Sequence, residues 1–284
     1  MIKFSVLVPT YNNLDYLKLA LKSIIENSLY KHEIILHIND GSDGTLEYAN
    51  KKNIKYTHSI SNIGLCSAIN MASEKATTNY ILYVHDDMYL CQNWDKILED
   101  EIQKFENDLF YLSGTNCDPK ILNISHNTGF TPKNFNSKNF EKYCVDKTNN
   151  DLQGSHWAPH IISKRLWSIV GGFSEEFNPG DGSDPDFCMK LWNNNVRIFK
   201  SLDKFKVFHF GSTTTRKKDV IKNNGTKKFL LKYGFNPKFF RKHYLRGGAN
   251  SVYDGPLDEP KKSINKSLEL LINKIKYLYY KMSF

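Results

Sequence analysis

Residues 80–87 read Tyr-Ile-Leu-Tyr-Val-His-Asp-Asp, an apolar run that stops on two adjacent carboxylates. A buried strand with that ending sets hard oxygen ligands at the carboxyl edge of a sheet, where open α/β folds bind their ligands. Adjacent carboxylates repel unless a cation sits between them and something else. Mg2+ or Mn2+ carrying a diphosphate is the partner that suits Asp86 and Asp87. A strand followed by a solvated acidic turn explains the same two residues equally well, so the decision passes to the rest of the chain.

A second carboxylate stands in Ser183-Asp184-Pro185-Asp186-Phe187. The stretch reads as a helix start, with Asp184 as N-cap and Pro185 at the first helical position. Capping is a sufficient reason for Asp184. It also holds the carboxylate rigidly at a loop–helix junction, as a general base requires. Such a base would take the proton of an acceptor hydroxyl attacking an anomeric carbon, while a metal stabilised the departing diphosphate. His209 closes Val207-Phe208-His209 and is either a half-buried histidine beside aromatics or a metal ligand facing Asp87. Imidazole suits Mn2+ better than Mg2+.

These residues need a frame. Lys3 to Val8 and Glu33 to Ile38 read as buried strands, Ile54 to Thr57 as a short third, 80–84 as a fourth and Leu109 to Leu112 as a fifth. Apolar residues at helical spacing mark helices from Leu14 onward, from Leu65 to Lys75 and from Trp94 to Phe105. The alternation predicts an α/β fold, a Rossmann-like, mixed but mostly parallel sheet flanked by helices. No GxGxxG follows the first strand, which argues against a dinucleotide site. Residues 115–150 are rich in Asn, Lys, Ser and Thr and read as long loops, a candidate lid. A helix over Pro185 to Asn193 and strands at Val196 to Lys200 and Lys206 to Phe210 complete the body.

Loops at the carboxyl edge carry further polar groups. Thr10 and Tyr11, after Pro9, offer a hydroxyl and a ring to a nucleobase. Asp40 could accept from a base N–H, although a turn role in Asn39 to Gly44 explains it as simply. Asn62 and Gly64 precede a helix N-terminus, a place for phosphate or ribose and equally for a plain turn. His156 and Trp157 precede the Gly171-Gly172-Phe173 loop; an indole stacks on a sugar face or anchors a lid with equal ease.

The 284 residues suffice for one large α/β domain or for one domain with an appendage, and a hydrophobic content of 40% suffices for a full core. Five cysteines without a CxxC pair predict free thiols, a reducing compartment and no structural zinc. With no apolar run of membrane-spanning length, the expectation is a cytoplasmic protein. Residues 200–284 hold 20 Lys/Arg against 6 Asp/Glu, whereas the first 199 hold 19 against 24. An acidic body therefore carries a basic tail, which points to an anionic partner. In the tail, Ile264, Leu268, Leu271, Ile272, Ile275, Leu278 and Tyr279 share one helical face, with lysines on the others. Such a helix suits an anionic membrane surface. It also suits packing on the body or on a second subunit, the more ordinary fate of an apolar stripe. Further basic residues (Arg216 to Lys218, Lys227-Lys228, Arg241-Lys242) keep a membrane or acidic glycan in view. Nucleic-acid binding lacks a motif and leaves the charge away from the cleft.

Seven motifs in order resemble those of a family 2 glycosyltransferase with the GT-A fold. They are Val8-Pro9-Thr10-Tyr11-Asn12, Asn39 to Thr45, Asn62-Ile63-Gly64 with Ala68 and Asn70, His85-Asp86-Asp87, Gly171 to Phe177, Ser183 to Phe187, and His209 with Ser212. The resemblance covers about residues 3–215. It implies a GT-A catalytic domain over 1–215, with a nucleotide-binding half to about 114 and an acceptor half beyond, followed by a basic helical extension over 216–284. It implies inverting transfer from a nucleotide sugar, UDP-linked foremost, to a hydroxyl of a glycan or lipid-linked glycan. By the same resemblance Pro9, Thr10, Tyr11, Asp40, Asn62 and Gly64 serve the nucleotide, and Asp86 the ribose or a phosphate. Asp87 and His209 hold Mn2+ or Mg2+, Asp184 is the base, and Asp186 supports it or meets the acceptor beside His156 and Trp157. The chain departs from the pattern at His85, Asn39 and Ser183, each standing where the family has an acid. The first departure leaves fewer carboxylates for a metal. A retaining transferase, a nucleotidyltransferase and a non-catalytic anionic-polymer-binding protein are the alternative readings.

Overall fold

A computed structural model describes residues 3–211, 223–248 and 251–282. Ser212 and Arg216 to Lys218 lie outside the described residues. The chain opens with β1 (Phe4–Tyr11), α1 (Leu14–Glu26), β2 (Glu33–Asn39), α2 (Thr45–Lys51), β3 (Lys55–Ser59), α3 (Leu65–Ser73) and β4 (Tyr80–Tyr83). β1 pairs in parallel with β2 and β4, and β2 with β3. β1, β2 and β4 are largely buried, because helices cover both faces of a parallel sheet, whereas β3, at the sheet edge, is mostly polar and partly exposed. Their carboxyl ends therefore share one edge, where Thr10, Asp40 and the His85-Asp86-Asp87 turn emerge.

The second half is mixed. β5 (Met88–Leu90), α4 (Trp94–Ile102) and β6 (Phe110–Cys117) lead to α5 (Pro119–Ser125) and α6 (Ser137–Asp146). Then come β7 (Leu152–Gln153), β8 (His160–Ser163), α7 (Lys164–Val170), α8 (Ser183–Asn193) and β9 (Ile198–His209). The sheet runs β3-β2-β1-β4-β8-β6-β9-β5, with β7 on β9. β8 lies antiparallel between β4 and β6.

Three sequence expectations change. Residues 115–150 are not a loop lid. They form α5 and α6, and Phe140 is wholly buried against Tyr89, Phe135 and Phe208. The strands expected at 196–200 and 206–210 are one strand. Between them the pairing with β6 slips, so that Gly114 faces Leu202 and Thr115 faces Lys206. The polar residues that read as a break sit in that bulge, where Lys206 pairs with Asp203 at 3.0 Å and Asp203 accepts from the Asn149 amide at 2.8 Å. Finally, α8 starts earlier than expected. Its N-cap is Gly182, in the left-handed region at φ 83°, so Asp184 lies inside the first turn and makes no cap.

The basic C-terminal segment packs on this body. α9 (Gly225–Tyr233) and α10 (Pro237–His243) bury Phe229, Phe239 and Phe240, and Leu257 N–H donates to the Arg197 carbonyl at 2.8 Å. α11 (Ile264–Met282) docks onto them through its polar face. Asn273 is its buried residue and accepts from the Asn236 amide at 2.9 Å. Glu269 pairs with His243 at 2.9 Å, and Lys227 lies over the Tyr280 ring at 4.9 Å. The apolar stripe faces outward: Leu271, Ile275 and Leu278 are each about half exposed. It therefore does not pack on this body. Among the described residues no helix is long and apolar enough to cross a membrane.

Candidate active site

Strand pairing brings the first cluster together. β5 runs antiparallel to the end of β9, with Met88 opposite His209, and Phe210 N–H donates to the Asp87 carbonyl at 3.0 Å. This sets His209 Nε2 3.2 Å from Asp87 Oδ1. A turn closed by Met88 N–H on the His85 carbonyl at 3.3 Å carries His85 to the same point, with Nδ1 4.0 Å from that oxygen. One ligand atom from each of His85, Asp87 and His209 lies within 4.8 Å of the others. The Nε2 atoms of both histidines are buried and make no hydrogen bond. Burial, with His209 a smaller influence, lowers the His85 pKa to about 4, so its ring is neutral at pH 7. Two imidazoles beside a buried carboxylate are a donor set that fits a divalent cation.

Asp86, beside them, is buried and accepts from Thr10 Oγ1 at 2.7 Å. Thr10 is thus committed to orienting Asp86. Asp40, in a left-handed conformation at φ 63°, accepts from Asn12 Nδ2 at 2.9 Å and from Ser42 N–H at 3.2 Å. Those bonds, Asn12 first, lower its pKa, so it is an ionised acceptor at the edge. Pro9 is buried within β1, and Tyr11 ends the strand partly exposed. Asn39, the departure from an acid, accepts from Ser59 Oγ and Ile63 N–H, both at 3.0 Å, and so ties down the 59–63 loop.

The α3 N-terminus is not open to phosphate. Leu65 N–H donates to the Pro179 carbonyl, and Cys66 N–H donates to Asn178 Oδ1 at 2.9 Å. Asn178 lies so close that a Cβ on Gly64 would meet its Oδ1 at 2.4 Å. Asn62 accepts from Gly64 N–H at 3.0 Å. The expected anion site is therefore filled by the chain itself, and Gly64 and Asn62 shape a turn there.

Asp184 opens onto a different wall. With Gly182 as cap, its side chain is spared, and Oδ1 is sealed without a hydrogen-bond partner. Burial alone raises its pKa to about 7. It shares a cleft of about 530 Å3 with His156, Trp157, Asp181, Lys238 and Arg241. His156 and Trp157 therefore do converge on the candidate base. Trp157 is both wall and anchor, since its Nε1 donates to the Gly114 carbonyl at 3.0 Å. Asp186 does not reach the cleft. It is wholly buried, accepts from Tyr233 Oη at 2.7 Å and pairs with Lys232 at 2.8 Å, so it ties α8 to α9 instead of meeting an acceptor.

Tyr83 lies between the two clusters. Its buried hydroxyl has no hydrogen-bond partner, and the charges of Asp184, Asp86 and Asp87 all act on it. Sequence reasoning passed over Tyr83 as strand filling and Lys238 altogether, and took Arg241 only as part of the tail's basic charge, because nothing in the sequence marks α10 as a cleft wall. It counted His85 as a lost carboxylate, whereas the turn brings a ring nitrogen of His85 to the same point as Asp87 and His209.

Solved structures share this frame. Residues 1–349 of Staphylococcus aureus TarS align with a TM-score of 0.55 and 20% identity over 73% of this chain and 60% of that one. The same fragment in complex with UDP-GlcNAc gives 0.55 and 19% over 75% and 61%. Likeness at that identity concerns the fold, which is GT-A. The profile of the family described as Glycosyl transferase family 2 matches residues 5–167, more than half of the 284 residues, and the chain belongs to that family of glycosyltransferases. It is also 26% identical over 230 residues to a hyaluronan synthase of Pasteurella multocida and 25% identical over 229 to a chondroitin synthase of Escherichia coli. Each match takes in 78% of this chain but only 22% and 31% of those proteins, so the chain spans less than a third of either. Asp184 and His209 lie beyond the family match.

A raised carboxyl pKa has a stability signature. Between the ordinary value of 3.8 and about 7 the folded state binds more protons than the unfolded one, so stability falls as pH rises through that window. Asp184→Asn should remove that decline and make the protein more stable than wild type at pH 8. Urea unfolding at pH 5 and pH 8 checks this. An unchanged pH dependence would place the carboxylate in water.

Proposed function

We propose that the protein is an inverting glycosyltransferase that moves a sugar from a UDP-linked donor to a hydroxyl of a growing glycan in polysaccharide synthesis. The Asp184 carboxylate, partly buried with Oδ1 sealed and unpartnered, in a cleft beside Trp157 carries this reading. The residues before about 114 hold the nucleotide, with Asp40 and Tyr11 at the base and Asp86, steadied by Thr10, at the ribose or a phosphate. The acceptor enters between Trp157, His156 and α10. Its hydroxyl proton passes to Asp184, its oxygen bonds to the anomeric carbon from the face opposite the diphosphate, and the bond to the diphosphate breaks with the electron pair leaving on phosphate oxygen. A base with a pKa near 7 is ionised in useful proportion at neutral pH and still basic enough to accept that proton. Asp87 and His209 would hold Mn2+ or Mg2+, which supplies charge neutralisation for the departing diphosphate.

The relatives are synthases named for glycan polymers, and a TarS fragment is solved in complex with UDP-GlcNAc, which supports a UDP-sugar donor and a glycan acceptor. In a transfer assay with UDP-sugars and Mn2+, Asp184→Asn should lower kcat by on the order of 10²-fold or more while UDP binding persists. NMR of the product should show the anomeric configuration inverted. Transfer at the wild-type rate by this variant would remove Asp184 as base.

The acceptor, we further propose, is presented at an anionic membrane surface on which α11 lies. Residues 261–282 hold six lysines and one acid, Glu269, and the stripe from Ile264 to Met282 points away from the body. Two copies meeting along this stripe would set lysines against lysines, whereas acidic headgroups complement them. Vesicles containing phosphatidylglycerol should float the protein and pure phosphatidylcholine vesicles should not. Leu271→Glu with Ile275→Glu should abolish flotation without altering the fold, since both side chains are exposed. Equal flotation by both vesicles, or a dimer abolished by the double variant, would contradict this.

A further inference from the structure

The family pattern has an acid where this chain has His85, and the structure shows what the replacement does. His85 and His209 come from separate elements, the turn after β4 and the end of β9, yet both present a nitrogen to the same Asp87 oxygen. Their rings lie edge to face at 5.5 Å. Tyr83 packs against the other side of His85 at 5.2 Å and limits its swing. Both histidines leave Nε2 covered without a hydrogen bond, as the core histidine His160 does with both its nitrogens; what sets His85 and His209 apart is that a ligand atom of each lies within 4.8 Å of the other and of Asp87.

We propose that His85 is a direct ligand of the cation, so that the site consists of two imidazoles and one carboxylate and selects Mn2+ or a similar transition ion over Mg2+. The proposal rests on the metal-assisted reading above and adds to it the identity of the third donor and the metal class. Mg2+ takes oxygen donors and gives up water reluctantly, whereas imidazole raises affinity for first-row transition ions. The charge count changes as well. A divalent ion held by one carboxylate and two neutral rings keeps a net positive charge, which a UDP diphosphate can meet. A second carboxylate in place of His85 would cancel it. This chain also needs that charge more, because the amides at the α3 N-terminus are already taken by Pro179 and Asn178.

Pulsed EPR of Mn2+ bound to the full chain with UDP counts the coordinating nitrogens without any turnover. Wild type should show two imidazole couplings, and His85→Gln and His209→Gln one each. Competition by Mg2+ against bound Mn2+ gives the second readout: His85→Asp, which restores the family's acid, should shift the preference toward Mg2+ by about tenfold or more. Thermal unfolding of each variant confirms that the fold is intact, and His85→Asp stands in should His85→Gln fail to fold. Two couplings surviving in His85→Gln, or one coupling in wild type, would overturn the assignment while leaving metal assistance in place. Failure of wild type to bind Mn2+ with or without UDP would instead sink the metal-assisted reading, and His85 as ligand with it.

Discussion

The candidate site depends on buried polar atoms that lack a hydrogen bond, one of them, His209 Nε2, at ion-pair distance (3.2 Å) from Asp87. Tyr83 Oη, His85 Nε2, His209 Nε2 and Asp184 Oδ1 are all buried and lack a hydrogen bond. Leaving one such group unsatisfied costs about 1–3 kcal/mol. The fold tolerates four because the core beneath them is dense. Phe173 and Phe187 stack at 4.5 Å and are nearly parallel, and His160 and Trp167 pack against that pair. Phe187 lies one turn along α8 from Asp184, so the ring that anchors the helix also fixes the carboxylate.

The chain satisfies its other exposed ends internally, and that selectivity is informative. Asp43 accepts from Leu14 N–H at the start of α1, and Asn178 caps α3. Gly182 caps α8 by conformation alone and leaves Asp184 free. A serine or aspartate at 182 would be a commonplace cap, but the φ of 83° there calls for glycine, and the side chain that matters stays available. With one helix end filled by side chain, stabilisation of a departing diphosphate falls to the cluster around Asp87.

The parallel half was legible because local patterns decide it. Continuous apolar strands at 4–11, 33–39 and 80–83, separated by helical spacing, leave little freedom. The ordered motifs singled out Asp87, Asp184 and His209, and the structure sets His209 against Asp87 and Asp184 in a cleft. What sequence hid was non-local. The three-residue β5 carries almost no pattern, and only its pairing with β9 places His209 against Asp87. The helices in 115–150 are short and polar, though Asp118-Pro119 was a readable cap, with Asp118 accepting from Lys120 N–H at 2.7 Å. Asp186 misled because its position in the motif says nothing of direction, and a tail residue, Tyr233, claims it. The outward stripe of α11 was readable as a stripe, but its docking by the polar face was not.

The central claim is that Asp184 and the Asp87 cluster border one ligand. Carbon-13 NMR of aspartate-labelled protein tests it most directly. One carboxyl resonance should titrate near pH 7, vanish in Asp184→Asn, and broaden when Mn2+ binds with UDP, while the resonance of Asp108, on the far side of the sheet edge beside Arg165, stays sharp. An Asp184 resonance that titrates near 4, or that Mn2+ leaves as sharp as that of Asp108, would contradict the account.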